Sequence, residues 1–126
     1  MTESDRRALL DRIVNVELEV TRRVASHVVP VKSGFVALHE KYPASHDNNV
    51  LEVTQWCEPG EIIRDVEHIF DSAGLRYRHI HVRDEGLAHR LASVFIGMGF
   101  EQSVRLAMVF FGSACDDVLC PVDRVR

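Results

Sequence analysis

Two histidines stand two residues apart in Tyr77-Arg78-His79-Ile80-His81-Val82. On a strand that spacing puts both imidazoles on one face, with Tyr77 beside them. His79 and His81 so placed can share a metal ion, with His68 or His89 from a covering helix as a third ligand. The plainer reading is a pair of histidines hydrogen-bonded in a half-buried layer, because metal sites need three or four protein ligands and no C-x-x-C pair is present. Cys115 and Cys120 allow a zinc pair or a redox switch, against two ordinary thiols. Cys57 follows Trp56 at a strand end, and the adjacent Glu58 disfavours its thiolate, which counts against a nucleophile. Glu58, Glu61, Asp65 and Glu67 crowd one helix start, where they complement the helix dipole or supply a general base. His39 and Glu40, with His46-Asp47-Asn48-Asn49 after them, are candidates for the acceptor side of a small-molecule cleft.

The chain bounds what can position these groups. Its 126 residues make one domain with a single two- or three-layer core. At 46% hydrophobic and 27% charged, it has the composition of an ordinary globular protein. Fifteen Lys and Arg against nineteen Asp and Glu give −4, which argues against a nucleic-acid partner. Arg76, Arg78 and Arg83 read as a solvated strand edge. Met1-Thr2-Glu3-Ser4-Asp5 is polar with no apolar stretch behind it, so no signal peptide is expected. No run approaches the roughly 18 apolar residues of a membrane span. Three cysteines in such a chain read as reduced thiols of a cytoplasmic protein.

Periodicity supplies the elements. Leu9, Ile13, Val16, Val20 and Val24 form an apolar stripe on a helix over 4–27, capped by Thr2 or Ser4, and the stripe is expected to be core. Val28 to Val31 and Phe35 to His39 read as strands around a tight turn in which Gly34 supplies a positive φ. A polar loop over 42–49 precedes a third strand, Val50 to Thr54. Pro59 opens a helix with Ile62, Val66, Ile69, Phe70 and Ala73 on one face and Gly74 as its stop. Tyr77 to Val82 is the next strand. Asp84 or Glu85 starts a helix that turns Leu87, Leu91, Val94, Phe95 and Met98 inward and ends at Gly99. Val104 to Phe111 reads as a strand covered on both faces, and 112–126 as a tail or linker. The fold class is α/β with a mixed sheet, in the order α-β-β-β-α-β-α-β. Three antiparallel strands come first, then a parallel pair joined through a helix, with helices on both faces.

That order, with Arg90-Leu91-Ala92-Ser93-Val94-Phe95-Ile96-Gly97-Met98-Gly99-Phe100 and a following strand ending in Leu106-Ala107-Met108-Val109, resembles the GNAT superfamily of N-acetyltransferases. The likeness runs over roughly residues 5–111, and it also resembles the N-terminal lobe of two-lobed acetyltransferase-like proteins. The resemblance implies acetyl-CoA as cofactor, bound at Gln55, Trp56, Cys57 and Gly60 where the family has its glycine-rich turn. There the backbone N–H groups of a helix start would cradle the pyrophosphate. This chain departs from the pattern at that turn. Gln55-Trp56-Cys57-Glu58-Pro59-Gly60-Glu61 has one glycine, Pro59 removes a donor, and Glu58 and Glu61 bring two negative charges toward an anion. Like charges a few ångströms apart cost about 1 kcal/mol or more even when screened. The family's acid tyrosine is replaced by Phe95, which cannot donate a proton, and its earlier polar residue by Ala88.

The expectation is therefore a degenerate acetyltransferase-like domain acting as a structural or interaction lobe, with no catalytic residue assigned. It would form a homodimer, through terminal strands or the run Val104 to Phe111, or dock onto an active acetyltransferase lobe. The alternatives are an acetyl-CoA-dependent N-acetyltransferase of a small amine or peptide with atypical contacts, and a small-ligand or metal sensor built on His79 and His81.

Overall fold

The computed structural model describes residues 2–46 and 48–104. Helix α1, Glu3–Val24, begins with a reciprocal cap: Asp5 N–H donates to Thr2 Oγ1 at 3.1 Å, and Thr2 N–H to the Asp5 carboxylate at 3.3 Å. It stops short of 27 because Ala25 is extended and Ser26 already pairs with the next hairpin, its N–H donating to the Leu38 carbonyl at 2.8 Å. Strands β1, His27–Val31, and β2, Gly34–Leu38, follow as an antiparallel hairpin. Strand β3, Val50–Val53, pairs antiparallel with β2. Helix α2, Pro59–Ser72, carries the chain to β4, Ile80–Val82, which pairs parallel with β3. Helix α3, Glu85–Gly97, closes the described elements, with the Asp84 side chain accepting from Leu87 N–H at 2.9 Å. The fold is thus α+β, with three helices and one mixed four-stranded sheet in the order β1-β2-β3-β4.

Strand alternation divides the core. Val36, Leu51 and Val53 pack with Ile62, Val66 and Phe70 of α2 and with Leu87, Leu91 and Phe95 of α3. Phe35, Ala37 and Val50 form a second cluster, met by Leu18 of α1 and by Ala25. Arg22 lays its guanidinium 4.4 Å from the centre of the Phe35 ring.

Several expectations are corrected. The stripe on α1 is not core: no α1 residue is buried, and Val16, Val20 and Val24 are 63%, 53% and 53% exposed. Leu18, Arg22 and an ion pair from Glu17 meet the sheet instead, so polar contacts and one leucine set the helix's rotation. On α3, Val94 and Met98 are exposed while Leu87, Leu91 and Phe95 are buried, and Ala73 after α2 is also exposed. The strand expected from Tyr77 begins only at Ile80. Arg78 Nη1 donates to the Leu75 and Tyr77 carbonyls at 3.1 and 3.0 Å, which draws the chain out of extended form. Gly34 is required by its neighbour rather than by its turn: a Cβ there would lie 2.0 Å from the Glu52 carbonyl oxygen on β3. The expected strand from Val104 to Phe111 lies, beyond Val104, outside the described residues, as do Cys115, Cys120 and the tail.

Candidate functional site

The residues expected to hold acetyl-CoA do come together at the start of α2. The Gln55 amide donates to the Lys32 carbonyl in the β1–β2 turn. Trp56 is 43% exposed, and the Arg90 guanidinium of α3 lies 4.1 Å from its ring centre. Cys57 is buried and donates its S–H to Glu61 Oε2 at 3.2 Å. Glu61 also receives Lys32 Nζ at 3.5 Å. Gly60 leaves open space, Arg64 being the nearest group to a Cβ built there, at 3.8 Å.

The chemistry of this turn follows from those contacts. Burial pushes the Cys57 thiol up, and the hydrogen bond to the Glu61 carboxylate pushes it further. The thiol is held protonated, the opposite of an activated nucleophile. Glu61 is held below the ordinary carboxylate range, first by the Cys57 hydrogen bond and then by the Lys32 charge. Lys32, which could have met an anionic ligand, is turned toward Glu61. Glu58 precedes the helix without a side-chain cap, and Pro59 fills the first turn. Phe95 is packed in the core and against Phe100, with ring centres 5.8 Å apart, so no proton donor stands at that place on α3.

A second constellation lies on the other face of the sheet. Glu52, in the middle of β3, is only 1% exposed. Arg83, just beyond β4, grips both of its oxygens, Nε to Oε1 at 3.2 Å and Nη2 to Oε2 at 3.1 Å. His81 Nδ1 is 3.4 Å from the same carboxylate, and Arg83 reaches on to Glu17 of α1. Burial alone would raise the Glu52 carboxyl, but His81 and Arg83 outweigh it and hold it below its ordinary range. The group is a charged strut between β3, β4 and α1. Glu52 was not singled out from the sequence, although a glutamate between Leu51 and Val53 in a buried strand implies a cationic partner. Arg83, expected on a solvated strand edge, is instead that partner, its side chain 14% exposed.

His79 and His81 share a face as expected, their rings stacked at 6.0 Å and 20°. Ile80 and Val82 point to the α2 and α3 side, so the histidines point away from His68 and His89, and neither helix brings them a third ligand. Among the described residues no group of three or more His, Cys, Asp or Glu is placed to hold a metal ion. His79 Nδ1 is bonded to the His46 carbonyl. Tyr77 leaves the histidine face and packs edge-on against Phe70, 5.9 Å between ring centres.

The 39–49 loop is tied by its own side chains. Asn49, fully buried, accepts from His39 N–H at 2.8 Å and donates to the Tyr42 and Ser45 carbonyls at 2.9 Å each. Tyr77 Oη donates to the Pro43 and Ser45 carbonyls at 2.7 and 3.1 Å, and His46 stacks on the Tyr77 ring. Glu40 pairs with His27. Asn49 and Glu40 are thus spent on holding the loop, whereas the His39 ring packs against Tyr42, 4.9 Å between ring centres, and His46 lines a groove. That groove runs beside the loop, between Ser45, His46, Arg78 and His79 and the end of α3 at Gly99 and Phe100. Glu67, Glu101 and Ser103 line it as well. Compared with protein-family models, curated proteins and solved structures, the chain matches none of them.

Proposed function

We propose that this chain is a degenerate GNAT-like domain that acts as a structural and interaction lobe rather than as an acetyl-CoA-dependent transferase. The observation that carries the reading is α1: a 22-residue amphipathic helix, capped, with Leu9 and Ile13 half-buried and Val16, Val20 and Val24 exposed. Isolated exposed apolar residues are ordinary, but three in line along one helix, continuing a half-buried Leu9 and Ile13, form a surface that the described residues leave uncovered. α1 meets the second core cluster through Leu18 and lays Arg22 over Phe35, with Val16, Val20 and Val24 facing outward.

The state of the α2 start supports the other half of the reading. A pyrophosphate would have to displace Lys32 from Glu61 and settle beside Glu58 and Glu61, at a helix whose first turn contains Pro59. The buried Cys57 and the core-packed Phe95 supply neither nucleophile nor acid. Thermal melting with and without about a millimolar acetyl-CoA tests this. No shift in Tm is expected. A ligand at a hundred times its Kd would add roughly 2.7 kcal/mol, several degrees for a domain of this size. Such a shift would return the chain to the transferases.

A further inference from the structure

We infer that the partner of α1 is a second copy of the same helix, packed antiparallel across a two-fold axis; the inference rests on the interaction-lobe reading. Leu9, Ile13, Val16 and Val20 follow one another at four, three and four residues, the spacing of a two-helix seam. In an antiparallel pair, Ile13 meets the partner's Val16, and Leu9 meets the partner's Val20. The isologous contact closes, because each residue pairing occurs twice.

Charge selects the orientation. Along one flank of the stripe the order is Asp5, Arg12, Glu19, Arg23: minus, plus, minus, plus. Reversed, that series becomes its own complement. Arg12 falls beside the partner's Glu19, and Asp5 beside the partner's Arg23. The opposite flank carries Arg6, Leu10, Glu17 and Val24, so a parallel pair, which sets one flank against the other, matches only Arg12 with the partner's Glu17. Within one chain Glu17 pairs with Arg83 and Glu19 with Arg23, so either orientation shares charges already paired. The antiparallel one is favoured by matching two charge pairs where the parallel one matches one. Antiparallel packing also opposes the two helix dipoles. Arg12, Ile13 and Val16 line a shallow depression on this face, a hole for a knob from the facing helix.

Sedimentation velocity of the full chain in reductant, across micromolar concentrations, should give a dimer. Val16→Glu, at a site exposed in the protomer and therefore neutral to its fold, should weaken the dimer about tenfold or more. Arg12→Glu alone should do the same by facing the partner's Glu19, and Arg12→Glu with Glu19→Arg should restore the dimer. Rescue by the double reversal is the result peculiar to this arrangement. A monomer throughout the range overturns the inference, as does a dimer indifferent to Val16→Glu or a double reversal that fails to rescue. A monomer that dimerises only when residues 105–126 are removed overturns it too, by making that segment the occupant. Acetyl-CoA melts on the same samples separate the two levels: a monomer without a shift sinks the dimer alone, whereas a dimer with a shift sinks the interaction-lobe reading.

Discussion

Glu52 shows how one side chain can tie three elements together. An unpaired carboxylate at that depth would cost several kcal/mol, and it is held there only because Arg83 and His81 converge on it from the neighbouring strand. Glu52→Gln should therefore destabilise the fold by about 3 kcal/mol at pH 7, because Arg83 loses its buried counter-charge. The folded carboxyl sits below its ordinary range, so its contribution is complete above the ordinary glutamate value of about 4.3 and is lost as the pH falls through the folded value. Denaturant unfolding at a series of pH values should show the two proteins converging below about pH 4. Parallel curves down to acid pH would mean that Glu52 is not the group that titrates.

Among the elements, the β2–β3 ladder has the least tolerance. Gly34 opposes Val53 in register, and its missing side chain is what lets the Glu52 carbonyl approach. Gly34→Ala should cost about 2–3 kcal/mol, because the clash is with backbone and no flexible side chain can yield. A midpoint unchanged in urea would show that the hairpin can shift. The helices behave differently. α2 buries Ile62, Ile63, Val66 and Phe70 and is fixed by its apolar face, whereas α1 buries nothing and is fixed by Glu17, Leu18 and Arg22. An apolar stripe says that a helix will be covered. It does not say by what.

At the scale of the molecule, one core dominates, from Val36 on β2 through Leu51 to Phe70, Leu91 and Phe95. Phe70, with no exposure, sits at its centre. Phe70→Ala should cost about 3–5 kcal/mol, much of the total stability of a domain of this size. A loss under 1 kcal/mol would contradict a single cooperative core. Among the described residues no helix is long and apolar enough to cross a membrane.

The sequence by itself determined the helices and strands that are described, their order, and the parallel pairing of β3 with β4. Local periodicity, caps and turn residues act within a few residues of each other and leave few choices. It also marked Cys57 as a poor nucleophile through the adjacent Glu58, whereas the structure makes burial and the Glu61 carboxylate the causes. The tertiary structure alone decided the rest. Which face of α1 meets the sheet depends on an arginine 66 residues distant from Glu17. The shortening of β4 depends on where Arg78 finds its acceptors, and the pairing of Glu52 with Arg83 on the register of two strands separated by a helix. Long-range charge pairing leaves no periodic trace in a sequence, because either partner alone reads as a solvated side chain.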